Sequence, residues 1–537
     1  MKSIDSFSMK FSGTSFLLLI VLSLSFTSCS FLESIFGGNA ENQSKSLKRH
    51  SLGEGLVFIK GGSFTQGLVE NDVLNEWNQR PTQQQVMSFY MDESEVTNAM
   101  YLEYINWLKE VFPSSNPLYK LIHESALPDT LVWNSPLGYF DELTQYYFRH
   151  PAYAEYPVVG VSWLQAVQFA EWRTDRLNEA ILIDQGFLNE DLKDNPIPER
   201  AFNSSVFLKA PESLFHQESD QLLAPFDDVD IDNPIDLLPR LESGLLQPKF
   251  RLPTEAEWEF AALPNQNRIK SSVLPRSLTP KSRVRRYGSS NNRFLANFKL
   301  RQGNYETPSD VATITTRIKS FPANDFGLYD MEGNVSEWVL DIYRPVVDNQ
   351  ESDLNYFRGN TFMKEVIGPN GKITLVPNDR FRIDTLPNGR PIVESLPGEI
   401  QYTPIGDAET FMRTNIDNPS PMRHNDGDVE SSIFYRYGEE LQYHDTDPMY
   451  NSPRHVQVTF DQNGQIIRGY DSSNYRTTLI SDQSRVYKGG SWKDRAYWLD
   501  PAKRRLLPQY LSTNSIGFRC AVSNIGSNSR GGFLSRR

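Results

Sequence analysis

The chain has 537 residues and a formal net charge of −13, which argues against a nucleic-acid binder, because gripping phosphates needs a dominant basic surface. A hydrophobic share of 39% is enough to fill a sizeable core, while 33 prolines imply long connecting loops. Two cysteines, Cys29 and Cys520, are too few for a disulfide framework, and the seven histidines lack the close spacing of a zinc site.

Lys2 and Lys10 precede an apolar run, Phe16 to Leu22, that ends at Phe26-Thr27-Ser28-Cys29. A basic start and a short apolar core make residues 1–28 a secretory signal, too short to span a membrane comfortably. Cys29 after small residues resembles a bacterial lipobox, so the expected product begins at a lipid-modified Cys29. Several acyl chains would anchor it stably. Residues 29–53, polar and rich in glycine and serine, read as a flexible tether.

The domain opens on an apolar strand, Leu56 to Ile59, running into a glycine turn at Gly61-Gly62-Ser63-Phe64. After Ser88-Phe89-Tyr90-Met91-Asp92, Thr97 or Asn98 caps a helix with Tyr101, Tyr104, Ile105 and Leu108 at helical spacing. Tyr156 to Trp163 is extended and apolar, and Ser162 caps a second helix carrying Ala166, Phe169, Ala170 and Trp172. About 70 residues (roughly 180–249), acidic around Asp227-Asp228-Val229-Asp230, then precede Arg251-Leu252-Pro253-Thr254-Glu255-Ala256-Glu257-Trp258-Glu259. Thr254 and Glu257 have the form of a capping box, so these carboxylates are assigned to helix capping rather than acid–base chemistry.

A basic stretch from Arg268 to Arg286 reads as a solvated loop, with a docking surface for an acidic partner as the alternative. Beyond it stands Asn324-Asp325-Phe326-Gly327-Leu328-Tyr329-Asp330-Met331-Glu332-Gly333-Asn334-Val335-Ser336-Glu337-Trp338. A second long insertion, about 345–484, holds hairpin-like pieces at 366–373 and 456–466. Lys488 to Ala521 follows, with Gly489-Gly490 suited to a tight turn, a basic run Lys503-Arg504-Arg505, and Ile516-Gly517-Phe518-Arg519-Cys520-Ala521. Cys520 is expected as a buried structural thiol. Residues 524–537 are expected as a mobile basic tail.

These blocks, in this order, resemble the signature of the formylglycine-generating-enzyme/sulfatase-modifying-factor family. The resemblance implies an α+β fold related to C-type lectins. It would be one loop-rich domain over 54–523 with two long insertions, about 180–249 and 345–484, as decorations. Active members oxidise a substrate cysteine with a thiolate pair that holds copper(I), shortly after the Gly-Gly-Ser. Aligned from Gly489, those positions fall near Asp494 and Leu499, so no catalytic residue and no copper are expected here. The family also holds structural calcium through hard oxygens. Carried over, one site takes the carboxylates of Asp330 and Glu337 with the carbonyls of Gly333 and Val335. The other takes the side chains of Asn297 and Asp310 with the carbonyls of Phe298 and Ala312.

Within the family, the lipobox, the run Ala126 to Trp133, and Tyr156 to Trp163 leading to Trp172 to Glu179 resemble the gliding-motility lipoprotein J group. That implies a non-catalytic outer-membrane lipoprotein on the periplasmic face, supporting gliding motility and type IX protein secretion. It would hold partner envelope proteins, the lipoprotein K ring first among them, through the insertions and the tail. Alternatives are a ring component of the lipoprotein K type, or a lectin-like glycan or peptide module with an aromatic cleft around Trp492 and Trp498. A divergent enzyme is a further class, because fold does not fix function, although no nucleophile–base pair stands out.

Overall fold

A computed structural model of the chain describes residues 53–67, 78, 81–134, 140–188, 201–211, 245–263, 296–299, 313–343, 363–404, 456–460, 466–470 and 483–524. The signal segment, Cys29, the tether, the basic stretch 268–286, Asp310, Ala312 and the tail beyond Asn524 lie outside those residues.

The described chain starts with β1 (Leu56–Ile59), the hairpin β2 (Gly62–Gln66) and β3 (Thr82–Val86), and β4 (Phe89–Asp92). Helices α1 (Asn98–Val111), α2 (Pro117–Ala126) and α3 (Trp163–Asp184) follow, with a further α-helical turn, Leu143–Tyr146, between α2 and α3. Short α4 (Ser204–Lys209), β5 (Phe250–Arg251) and α5 (Glu255–Ala262) lead to β6 (Ser336–Ile342). The second insertion contributes β7 (Met363–Glu365), β8 (Ile383–Thr385), β9 (Pro391–Val393), β10 (Tyr402–Pro404) and the hairpin β11 (Val456–Phe460) and β12 (Ile466–Tyr470). The chain then forms β13 (Ser484–Lys488), β14 (Arg505–Pro508), β15 (Ile516–Gly517) and β16 (Ala521–Ser523).

Two four-stranded sheets, ordered β1-β4-β16-β5 and β14-β13-β6-β15, organise the domain. In the first, strands from the two ends of the sequence are neighbours, and in the second, mid-chain β6 lies between β13 and β15 from the C-terminal region. β16 pairs antiparallel with β4 and with β5, and β15 runs parallel to β6. The fold is a mixture of helix and sheet, as the motifs predict.

The helix starts follow from local chemistry. Thr97 accepts the Met100 N–H at 3.2 Å, so Thr97, not Asn98, caps α1. Ser162 with Gln165, and Thr254 with Glu257, form complete capping boxes for α3 and α5. The apolar stripe of α1 meets that of α3 over the β4–β16 sheet. Tyr101 stacks on Phe169 at 5.5 Å, and Phe169 meets Phe518 edge-on at 5.4 Å. These side chains are fully buried, each contributing roughly 1.5–3 kcal/mol. A second cluster, including Trp258, Val339 and Val486, fills the space between α5, the β2–β3 hairpin and the second sheet.

Part of the second insertion belongs to the core rather than to its outside. Val376, Phe381 and Val393 join the cluster built by α1, α2 and α3, and Phe381 stacks on Tyr119 of α2 at 6.2 Å. Gln168 of α3 donates to the Val393 carbonyl at 2.6 Å. The ends of the first insertion also close on each other, with Leu182, Ile183, Leu188, Phe202, Phe207 and Leu246 forming a satellite cluster. The expected hairpins form at Ile367↔Ile373 and as β11–β12.

Candidate functional site

The loop after β13 carries the two positions at which the resemblance locates the thiols. Gly489 and Gly490 have φ of 95° and 68°, a left-handed backbone that favours glycine. A Cβ on Gly490 would stand 2.9 Å from the side chain of Leu499. Leu499 is fully buried there. Asp494 accepts two hydrogen bonds of 2.9 Å from the Arg505 guanidinium and one of 2.5 Å from the Ser491 hydroxyl. Arg505 in turn lies over the rings of Tyr487 and Trp498, at 4.7 and 4.8 Å. An ion pair and a buried leucine thus occupy the two positions, and neither offers the soft sulfur that copper(I) favours.

The basic run next to this loop is absorbed by the same region. Arg504 donates to Glu255 at 2.5 Å, and Lys488 reaches Glu255 and Glu259 at 3.4 and 2.9 Å, with all four side chains buried. Burial raises the Glu259 carboxyl above its ordinary range, against the attraction of Lys488. This network ties α5 to the Gly-Gly loop. The capping assignment is right for Thr254 and Glu257 but misses Glu255 and Glu259, whose spacing of four residues on one helix was the available signal.

Arg519 centres the other buried charge cluster. Its Nε and terminal nitrogen donate to Glu337 at 2.7 and 2.6 Å, and Trp258 donates its indole N–H to Glu337 at 2.8 Å. Glu95 accepts from the Asn334 amide at 3.1 Å. Burial, then the charges of Asp330 and Glu337, push the Glu95 carboxyl well above the usual range. Asp330 accepts the Lys319 N–H at 2.9 Å, and burial lifts its carboxyl to about 6.

The proposed calcium ligands divide on this geometry. Around Asp330, Gly333, Val335 and Glu337, the protein supplies its own cation. Three donors already fill most of the acceptor capacity of Glu337, so this set fits calcium poorly. Around Asn297, the fit is better. Its side-chain oxygen is buried with no partner among the described residues, while its amide donates to the Ile314 carbonyl at 2.8 Å. Its carbonyl accepts from Asn334, and a Cβ on Gly333 would meet that carbonyl at 2.5 Å. Phe298 is buried beside it, and Asp310 and Ala312 lie outside the described residues. Calcium at Asn297 would supply a structural cross-link.

Cys520 is buried against the Asp92–Arg173 ion pair, and burial pushes its thiol up to about 12. That is a structural sulfur. The aromatic cleft expected around Trp492 and Trp498 is filled instead. Trp492 stacks on Trp133 at 6.1 Å and donates to Asn514, and Trp498 covers Arg505.

Comparison with known proteins agrees with the blocks described above. A family model for the sulfatase-modifying factor enzyme 1-like domain matches residues 41–373. The serine/threonine-protein kinase pkn1 of Chlamydia caviae is 23% identical over 314 residues, which cover 58% of this chain and 31% of that protein. The inactive C-alpha-formylglycine-generating enzyme 2 of Mus musculus is 32% identical over 140 residues, covering 25% of this chain and 36% of that one. The chain therefore spans about a third of the length of these curated relatives. Among solved structures, Treponema denticola variable protein 1 aligns with 87% of this chain and 94% of its own, at 15% identity and a TM-score of 0.34. Strands β13, β15 and β16 lie beyond residue 373, yet each pairs with a strand inside the matched region. The match covers more than half of the sequence, and the chain belongs to the sulfatase-modifying-factor (formylglycine-generating-enzyme-like) domain family.

Proposed function

We propose that this protein is a non-catalytic member of the family, an outer-membrane lipoprotein of the gliding-motility lipoprotein J type. Anchored through Cys29 and facing the periplasm, it supports gliding motility and type IX secretion by holding or stabilising partner envelope proteins, the lipoprotein K ring foremost. The observation that carries the non-catalytic reading is the Asp494–Arg505 ion pair, with buried Leu499, at the positions of the family's thiols. The lipoprotein J reading rests on the lipobox at Cys29 and on the runs Ala126 to Trp133 and Trp172 to Glu179. A structural calcium held by Asn297 belongs to the same reading, as a stabiliser of the loop before β6.

The test is a mild-detergent pull-down of the anchored full chain, with mass spectrometry of what stays bound. Recovery of type IX secretion or gliding components supports the reading. A chain recovered from another compartment, or one that brings down none of these components, overturns it.

A further inference from the structure

The fold of the second insertion creates a cleft. Between α1, α2, α3 and the segment 393–399 lies an open-mouthed cavity of about 40 Å³. A single water needs roughly 10–15 Å³ by this measure, so the space suits the head of one side chain rather than a sugar ring. Trp172 and Tyr104 form an aromatic wall, their rings 5.3 Å apart.

The charges on the lining do not balance. Glu171, Asp175, Glu394 and Glu399 all face the space, against one cation, Arg176. Arg176 is already engaged, with Glu179 at 2.7 Å, the Phe202 carbonyl at 2.5 Å and the ring of Trp107 at 4.4 Å. Asp175 is committed to Asn203 and to the Ser204 N–H at the start of α4. Among the described residues, Glu399 accepts only the Leu396 N–H, Glu394 pairs at 3.4 Å with exposed Arg382, and Glu171 has no hydrogen bond or ion pair. Exposed Lys249 acts on Glu171 and Glu399 through its charge without pairing with either. Glu171 lines the cleft with its side chain open to solvent, and lost hydration on the cleft side raises its carboxyl. Lost hydration, then the charges of Glu171 and Asp175, push Glu399 up to about 8.

A second observation is independent of the carboxylates. Trp172 is 7% exposed, and its indole N–H is buried with no acceptor among the described residues. A buried donor without a partner is costly, and a ligand oxygen or a bound water would complete it.

We propose that this cleft binds a basic residue of a peptide segment. The lysine or arginine head meets Glu171 and Glu399 over the aromatic wall, and a peptide oxygen accepts from Trp172. None of Asp494, Leu499, Asn297 or Asp330 lines the cleft, so this site is independent of the membrane anchoring and partners proposed above.

The test is isothermal titration of the full chain in detergent with N-acetyl-lysine methylamide and N-acetyl-arginine methylamide. The comparison ligands are the neutral norleucine analogue, n-butylammonium and N-acetylglucosamine. Saturable binding of the basic amides is expected, with the norleucine analogue weaker by about tenfold or more. Glu171→Gln weakens the basic amides by about the same factor, at an unchanged melting temperature, since Glu171 makes no contact that folding needs. Trp172→Phe keeps a ring and loses the N–H, and it erases the preference for the amides over n-butylammonium. Equal binding of the norleucine analogue, a preference for the sugar, or no saturation by either basic amide overturns the proposal. So does Glu171→Gln binding as the parent chain does.

Discussion

Arg519 lies against Glu337 with two hydrogen bonds, 2.7 and 2.6 Å long, across 182 residues of sequence. Both are fully buried. Glu337 sits on β6 and Arg519 just ahead of β16, so this one pair fastens the two four-stranded sheets together. Removing one partner strands a charge away from water. Arg519→Ala should therefore cost about 3–5 kcal/mol, measured by chemical denaturation. The double change Arg519→Met with Glu337→Gln should cost clearly less, because neither residue then carries an unpaired charge.

The acidic groups around Arg519 give the stability a pH dependence of definite sign. The Asp330 carboxyl is lifted from 3.8 to about 6 in the folded chain. The native state therefore holds its proton more tightly than the unfolded chain does. The stabilising contribution is complete below pH 4 and is lost as pH rises through about 6. Asp330→Asn should flatten the melting temperature across that window. Its φ of 57° suits asparagine, and the Lys319 N–H keeps an acceptor. A variant whose profile between pH 4 and 7 matches the parent's would contradict this assignment.

The second insertion should behave as core. Phe381→Ala removes a ring that stacks on Tyr119 and joins the main cluster. The expected loss is about 3 kcal/mol, read as a drop in melting temperature. A surface decoration would show a change within about 0.5 kcal/mol.

The thiol positions predict an absent chemistry that is directly measurable. With Asp494 held by Arg505 and Leu499 buried, the purified chain should not compete with a copper(I) chelator. It should also leave a cysteine-containing peptide unoxidised under copper and oxygen. Copper-dependent turnover would require ligands elsewhere and would end the non-catalytic reading.

Calcium should follow Asn297 and not Glu337. Metal analysis after dialysis from calcium buffer should recover calcium from the parent chain and lose it in Asn297→Ala. Added calcium should raise the melting temperature of the parent only. Equal recovery from parent and variant would remove Asn297 from any such site.

Much of the local structure was legible because it depends on neighbours in sequence. Thr97, Ser162 and Thr254 cap helices through residues three positions away, and Gly489-Gly490 turns the chain because only backbones without a Cβ accept those dihedrals readily. The identities of Asp494 and Leu499, where the resemblance locates thiols, were equally readable, since they need no folded structure. Tertiary structure alone decided what holds those positions and how charge is compensated. Arg505 finds Asp494, Arg504 and Lys488 find Glu255, and Arg519 finds Glu337 over separations of 11 to 249 residues. Nothing in local propensity selects such partners. They follow from burial, which forces each charge to find an opposite one within reach. The same holds for the cleft beside Trp172. Helices α1 and α3 were predictable one by one, but the closing wall comes from residues 393–399, more than 200 positions later, brought there by the packing of Phe381 and Val393.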